Sequence, residues 1–345
     1  MNPYSQLDQK SFWKPSVASL PAEEISGLWD PKFRFDRLPV LTAGSCFAQH
    51  FGQALKRNGL NWSIEESGPA SLDEDTLRKF NYGVFSFRTG NIYTPKALLQ
   101  WLIAANDPSQ QNRETWEKDG RFYDPMRPMI EPDGFASREE LFASRQVTLD
   151  LIRGALQRGA VFVFTLGLTE SWRNADTDFE YAMCPGTVAG EFDEKVHKFY
   201  NHDTRSIKQL LKKATRLILR ENKRNKVLLT VSPVPLTATA SGDHVLVATV
   251  KSKSVLRAAA SEVAALSPRI DYFPSYEVIT GIPYKSRWFS DNLRSVTEYG
   301  VSCVMKNFFS DHQRKFGPLK VRRSNNKQQA TDELVCEEVL LEAFS

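Results

Sequence analysis

The chain of 345 residues contains little cysteine and no long apolar run. Its four cysteines are widely separated and form no CxxC pair, which argues against a disulfide framework and a structural zinc site. No apolar stretch approaches the roughly 20 residues of a membrane helix. The first residues also lack the basic and apolar segments of a secretory signal. We therefore expect a cytoplasmic protein with no membrane span and no bound metal.

The chain also has only a small excess of positive over negative charge, and it contains few histidines. The net charge of +4 is too small for this length to predict binding to nucleic acid. Only five histidines are available as candidate bases, at positions 50, 197, 202, 244 and 312. With 41% hydrophobic and 25% charged residues, the composition is that of a globular protein, long enough for one large domain or two smaller ones.

Short apolar runs alternate with segments of helical periodicity, which predicts the α/β class. The runs predicted as buried strands are Leu38–Thr42, Ala160–Leu166, Val227–Val231 and Ile270–Phe273. Because helices separate them, they should form a mostly parallel sheet that is covered on both faces.

Four segments are predicted along the chain. Residues 1–36 should form an arm that wraps the core, because Trp13, Trp29, Phe33 and Phe35 need burial. Residues 37–317 should form the α/β domain, and residues 60–135 a lid-like insertion within it. Residues 318–345 should be a polar linker followed by a short helix over 334–344.

Ser45 directly follows the first predicted strand and precedes a helix. Ligands bind at the carboxyl ends of the strands in such sheets, where residues 167–170 and 232–235 are also expected. The serine hydroxyl should then lie open above the sheet, and the backbone N–H groups of the helix could stabilise an oxyanion. The alternative is that Ser45 is simply the N-cap of the helix.

The residues around Ser45 read TAGSCFA, and this stretch resembles the GSCFA family. The similarity extends over about residues 38–310 through further motifs: Phe87–Thr94, Thr165–Glu170, Ser232–Leu236 and Tyr272–Glu277. The family is placed near the SGNH (GDSL-like) hydrolases. The resemblance therefore implies a three-layer α/β/α sandwich with a flavodoxin-like sheet, and Ser45 as the nucleophile.

The other SGNH positions are matched less completely. Gly83, with Gly90 as a rival, is the expected second oxyanion donor, and Thr169 stands where the family's asparagine is expected. Arg294 stands at the position of the catalytic histidine. A guanidinium stays protonated and cannot accept the serine proton, but it can hold a carboxylate or phosphate.

The general base remains open between several groups. His244 is the first choice because it follows the strand end at the correct edge of the sheet, and His202 is the second. Glu170 is the candidate without an imidazole, provided that burial raises its pKa. Cys46 is a less favoured nucleophile, whose side chain should point into the core.

Two functions follow as hypotheses from the resemblance. The first is a bacterial serine esterase or O-acyltransferase that acts on an acylated carbohydrate or cell-envelope metabolite through an acyl-Ser45 intermediate, with coenzyme A as a conceivable acyl donor. The second is an impaired enzyme that binds an anionic ligand through Arg294.

Arg88 and Asn91 are expected to bind ligand oxygens in either case, and basic side chains at positions 251, 253 and 257 could bind phosphate.

Overall fold

The computed structural model describes residues 2–319 and 337–344, and its centre is a parallel sheet of four strands. In chain order the strands of the described residues are β1 (Val40–Gly44), β2 (Trp116–Lys118), β3 (Arg121–Tyr123), β4 (Val161–Leu166), β5 (Glu170–Asn174), β6 (His197–Asn201), β7 (Lys226–Val231) and β8 (Ile270–Tyr272). The central sheet has the order β1-β4-β7-β8, with every neighbouring pair parallel. All four predicted strands are confirmed, with their ends shifted by no more than two residues.

Eight α-helices surround the sheet in the described residues: α1 (Phe47–Arg57), α2 (Glu74–Lys79), α3 (Pro95–Asn106), α4 (Arg138–Arg158), α5 (Thr204–Glu221), α6 (Val245–Ala264), α7 (Ser275–Thr280) and α8 (Glu298–Phe316). Alternate residues of the central strands point into two separate cores. Helices α3, α4, α5 and α6 pack on one face, and α1, α7 and α8 pack on the other. The three-layer α/β/α architecture is therefore as predicted.

The outer edge of β1 is covered by irregular chain rather than by another full strand. Val40 forms a single parallel bridge with Trp62, which stands where a flavodoxin-like sheet has its second strand. Further along, Ser86 N donates to Thr42 O, and Ile92 N donates to Gly44 O at 2.8 Å. These bonds satisfy the edge of the strand that leads to Ser45.

The N-terminal segment packs against the helical layer of α1 and α8. Trp29, Phe33 and Phe35 are buried there, as predicted. The backbone N–H of Trp29 donates to Asp311, and that of Phe35 donates to Nε2 of His312, which fixes the arm on α8. Trp13 was expected to be buried as well, but it is 62% exposed, because the arm packs on the core only from further along the chain.

Residues 60–135 hold α2, α3 and the β2–β3 hairpin. Helix α3 packs on α4 and α5 and contributes Leu98, Trp101 and Leu102 to the larger core. The expectation of a lid therefore does not describe α3, which is part of a core layer. The predicted C-terminal helix is a 3-10 helix at Glu337–Phe344, while the linker expected before it lies outside the described residues.

No helix in the described part of the chain is both long and apolar enough to cross a membrane.

Candidate active site at the carboxyl edge of the sheet

Ser45 lies at the junction between β1 and α1, at the carboxyl end of the strand. The residue before it, Gly44, has a positive φ of 137°, and a Cβ built there would lie only 2.3 Å from the carbonyl oxygen of Thr165. Only glycine tolerates this conformation so close to the neighbouring strand. Ser45 N donates to the same oxygen at 3.0 Å. The backbone of Ser45 is thereby fixed against β4.

The Ser45 hydroxyl does not cap the helix. Cys46 occupies the N-cap position of α1, and Oγ of Ser45 is buried without any hydrogen-bond partner. The N-cap alternative is therefore wrong. A buried hydroxyl that leaves its hydrogen-bonding capacity unused carries a desolvation cost, so its presence calls for an explanation other than fold stability.

Ser45 is also not open to solvent, contrary to expectation: its exposure is 2%. It lines a small cavity of about 10 Å³, which is room for about one water molecule. We call this space the small cavity; the lining residues that matter here are Ser45, Tyr93, Leu168, Ser232, Leu236 and Lys253. Residues of the β4 and β7 strand ends and of the 232–236 loop cover the hydroxyl, which explains its burial.

A second cavity of about 600 Å³ adjoins the first, and we call it the large cavity. Tyr93, Leu168 and Leu236 line both spaces and therefore lie between them. The antiparallel pair of strands β5 and β6 supplies one wall of the large cavity, and β5 begins at Glu170, the last residue of the Thr165–Glu170 motif. Further lining residues include Asn91, Trp101, Glu170, Trp172, Glu180 and Phe199.

The large cavity is mainly aromatic and apolar, with a few acidic groups. Burial raises the pKa of the Glu170 carboxyl, against the effect of its hydrogen bond from Thr239 Oγ1 at 2.7 Å. Burial also raises the pKa of the Cys184 thiol to about 11, so this lining cysteine is a thiol at neutral pH. No lysine, arginine or histidine occurs among the described residues that line this cavity.

Residues 39–308, well over half of the chain, match the model of the GSCFA family. The chain belongs to the GSCFA family. No curated protein matches this GSCFA protein at a significant level.

Two of the predicted ligand-binding residues of the GSCFA protein line the large cavity. Asn91 and Glu170 both lie there, one from the loop before α3 and one from the first residue of β5. The pKa of Glu170 is shifted in the direction that its candidacy as a base required. It lines the large cavity and not the small one, so it is separated from Ser45.

The two histidines proposed as bases are engaged elsewhere. His244 is exposed and caps α6, where its Nδ1 accepts from Leu246 N at 3.2 Å. His202 is buried, with Nε2 at 3.1 Å from Glu180 and Nδ1 at 2.8 Å from Ser206. Neither imidazole lines the small or the large cavity. Their positions therefore give no support to a role as base for Ser45.

None of the predicted oxyanion donors lines the small cavity with Ser45. Gly83 and Gly90 both have positive φ and serve as turns, and neither lines a cavity. Thr169 is fully buried, and its hydroxyl donates to Asn201 Oδ1 at 2.7 Å instead of facing the nucleophile. Cys46 belongs to the core on the α1 face, as predicted, but it also lines the small cavity with Ser45.

The two predicted anion-binding arginines have other surroundings. The guanidinium of Arg88 is buried and donates to the carbonyl oxygens of Phe80 and Ile130 and to Glu131. It stabilises the loops around it and does not line either cavity. Arg294 lies in a turn closed by Asn292 and also lines neither cavity. Within residues 2–319 and 337–344, Arg294 therefore shares no cavity with Ser45, and its position gives no support to the binding of an anion beside the serine.

The sequence suggested Lys253 only as one of three basic residues that could bind phosphate, and the structure instead places it on α6, where it lines the small cavity with Ser45. Its side chain is 2% exposed. A signal was present: Lys253 precedes Leu256 by three residues and Ala260 by seven, so it falls on the apolar face of the helix. A charged residue on such a face should have been singled out from the exposed lysines nearby.

Proposed function

We propose that this GSCFA protein is an SGNH-like serine esterase or O-acyltransferase that forms an acyl-Ser45 intermediate on an acylated carbohydrate or a related metabolite. The observation that carries the proposal is the buried Ser45 hydroxyl without a hydrogen-bond partner, at the carboxyl edge of the sheet and next to a large cavity. A hydroxyl that contributes no internal hydrogen bond remains available for attack on a substrate.

The start of α1 supports this chemistry electrostatically. Ser45 is followed directly by the first turn of the helix, whose backbone N–H groups and dipole favour negative charge. We propose that the backbone N–H of Cys46 stabilises the oxyanion that forms when Ser45 attacks an ester carbonyl. Loss of one such donor costs on the order of 3 kcal/mol in transition-state stabilisation.

The large cavity supports a neutral substrate with apolar or flat faces. Aromatic rings such as Trp101, Trp172 and Phe199 can pack against an acyl chain or the apolar face of a sugar. The phosphates of coenzyme A would find no cationic side chain among its described lining residues. We therefore propose an acyl ester of a carbohydrate, rather than coenzyme A, as the acyl donor if the reaction is a transfer.

Substrate must pass the residues that lie between the two cavities. Leu168 is the partly exposed member of this group and is the side chain that we propose moves aside. A nucleophile that meets substrate only after such a movement is kept from bulk water, which favours transfer of the acyl group to a bound acceptor.

The test is covalent labelling of the purified protein with an alkyl fluorophosphonate, followed by peptide mapping. We expect the adduct on Ser45, its loss in Ser45→Ala and its retention in Ser232→Ala, a control hydroxyl in the same small cavity. Folded wild-type protein that acquires no adduct, or an adduct that survives in Ser45→Ala, contradicts the proposal.

A further inference from the structure

We infer that Lys253 is the general base that activates Ser45, an inference that rests on the proposed function. It assigns the proton-accepting role to a lysine of α6 instead of to a histidine or to Glu170. The geometric basis is that the two side chains share a cavity with room for about one water molecule.

Lys253 is a buried lysine that lines the same small cavity as Ser45. The side chain enters from α6 and is almost wholly removed from solvent. Ser45 Oγ has no direct hydrogen-bond partner, but the small cavity that both residues line has room for about one water molecule, which could carry a proton from the hydroxyl to the amine.

Two hydrogen bonds hold the amine in this place. Nζ of Lys253 donates to the carbonyl oxygen of Gly167 at the end of β4. The preceding residue, Ser252, accepts from the backbone N–H of Thr169 at 3.0 Å. One turn of α6 is thus fixed to the loop after β4, and β4 also holds the backbone of Ser45 through Thr165. The base and the nucleophile are positioned by the same strand end.

The histidines leave this role unfilled. None of the five lines the small cavity. Besides His202 and His244, Nδ1 of His197 accepts from Asp193 N, and Nε2 of His312 accepts from Phe35 N. His50 lies on α1 with its ring edge against Phe47.

Lysine can perform the chemistry that arginine cannot. A buried amine is able to lose its proton, and serine–lysine pairs replace serine–histidine pairs in some hydrolases. In the proposed step the neutral Nζ of Lys253 takes the proton from Ser45 Oγ while Oγ bonds to the acyl carbon. When the ester C–O bond breaks, the ammonium returns that proton to the leaving alcohol. Water or an acceptor hydroxyl then attacks the acyl-serine, with Nζ again accepting the proton. When the bond between the acyl carbon and Oγ breaks, the ammonium returns this proton to Oγ, which restores Ser45 and a neutral amine.

The experiment measures the rate of fluorophosphonate labelling at Ser45 as a function of pH. The wild-type rate should rise with pH as the amine becomes neutral. Lys253→Met, which preserves volume, should lower the rate by about 10²–10⁴-fold and abolish the rise. Lys253→Arg keeps a cation and a donor for Gly167 but cannot accept a proton, so it should also label slowly. Lys212→Met, on the exposed face of α5, is the matched control.

Each outcome decides a separate point. Labelling of Lys253→Met within threefold of the wild type, with the same pH profile, overturns the role of Lys253 and leaves Ser45 as nucleophile. A full rate in Lys253→Arg alone shows that the lysine supplies only a donor and also overturns it. Failure of the wild type to label Ser45 overturns the proposed function itself. Thermal unfolding of each variant establishes that the protein compared is folded.

Discussion

Two buried polar clusters in this protein differ in how completely their groups are hydrogen-bonded. In the first, which we call the charge network, Asp124 accepts from Arg127 Nε at 3.0 Å and from Arg145 Nε at 2.9 Å. Thr148 Oγ1 accepts from Arg127 at 2.9 Å and donates to Glu66 at 2.8 Å. In the small cavity, by contrast, the Ser45 hydroxyl is equally buried and has no hydrogen-bond partner.

This difference separates groups that stabilise the fold from a group that is available for reaction. The charge network joins the 60–135 region to α4, and removal of the Asp124 carboxylate leaves the buried Arg127 and Arg145 guanidinium groups without it. The Ser45 hydroxyl contributes nothing comparable to stability. The same measurement, the free energy of unfolding, should therefore respond strongly to substitutions in one cluster and weakly to substitution of Ser45.

The largest effect is expected for Asp124→Asn. This change leaves the fully buried guanidinium groups of Arg127 and Arg145 without their carboxylate, and we expect a loss of about 3–5 kcal/mol in the free energy of unfolding. Urea denaturation measures it. A loss below about 1 kcal/mol would mean that the network does not stabilise this region, and the comparison would fail.

Thr148→Val tests the same network with a smaller expected effect on stability. The two side chains have similar shapes, so the change removes hydrogen bonds without altering the packing. Arg127 loses an acceptor and Glu66 loses a donor, so we expect a destabilisation of about 1–3 kcal/mol by urea denaturation. The exposed Thr177→Val, outside the network, is the control and should change stability by no more than about 0.5 kcal/mol.

The pH dependence of stability should have opposite signs for two carboxyls. Burial acts to raise the pKa of Asp124, but Arg145 and Arg127 outweigh it and lower the pKa, so its contribution is present above the unfolded-state pKa and is lost on acidification. Burial raises the pKa of Glu170, so stability declines as the pH rises through its titration.

Unfolding measured from pH 3 to pH 7 tests these signs. Relative to the wild type, Glu170→Gln should become more stable as the pH increases, because the substitution removes a carboxylate that is costly to ionise. Asp124→Asn should become relatively less stable over the same range. Two curves that slope in the same direction would contradict the assignment of opposite environments.

The smallest effect on stability is expected for Ser45→Ala. Because Oγ makes no hydrogen bond, the free energy of unfolding should change by no more than about 0.5 kcal/mol while labelling is lost. A destabilisation of 2 kcal/mol or more, by the same urea titration, would show that the hydroxyl has a structural partner after all.

The sequence was sufficient for the parts of the fold that depend on local pattern. The runs around Val40, Val161 and Val227 are apolar on both faces, which is the pattern of central parallel strands, and the parallel order placed Ser45 at the carboxyl edge. Asp203 and Thr204 are both residue types that cap helices, and in the structure Asp203 is the cap of α5 and accepts from Ser206 N.

The remaining features depend on contacts between distant residues. The Ala-rich pattern typical of a helix begins only near Ser254, whereas α6 begins at Val245 with His244 as its cap, so the local pattern does not place Lys253 on this helix. The β5–β6 hairpin joins segments separated by more than twenty irregular residues, and no local pattern indicates their pairing. The residues that line the small cavity with Ser45 likewise come from distant parts of the chain, among them Tyr93, Leu168 and Leu236, which explains why an open hydroxyl was expected.

The irregular segment that covers the outer edge of β1 could open locally, and this opening would change the surroundings of Ser45. The bond from Ile92 N to Gly44 O attaches that cover one residue before Ser45. Brief detachment of the 86–92 segment would expose the Gly44 carbonyl before the interior strands open. Amide hydrogen exchange at Ile92 should therefore be faster than exchange within β4. Its rate should report how often the hydrogen bond next to Ser45 opens locally.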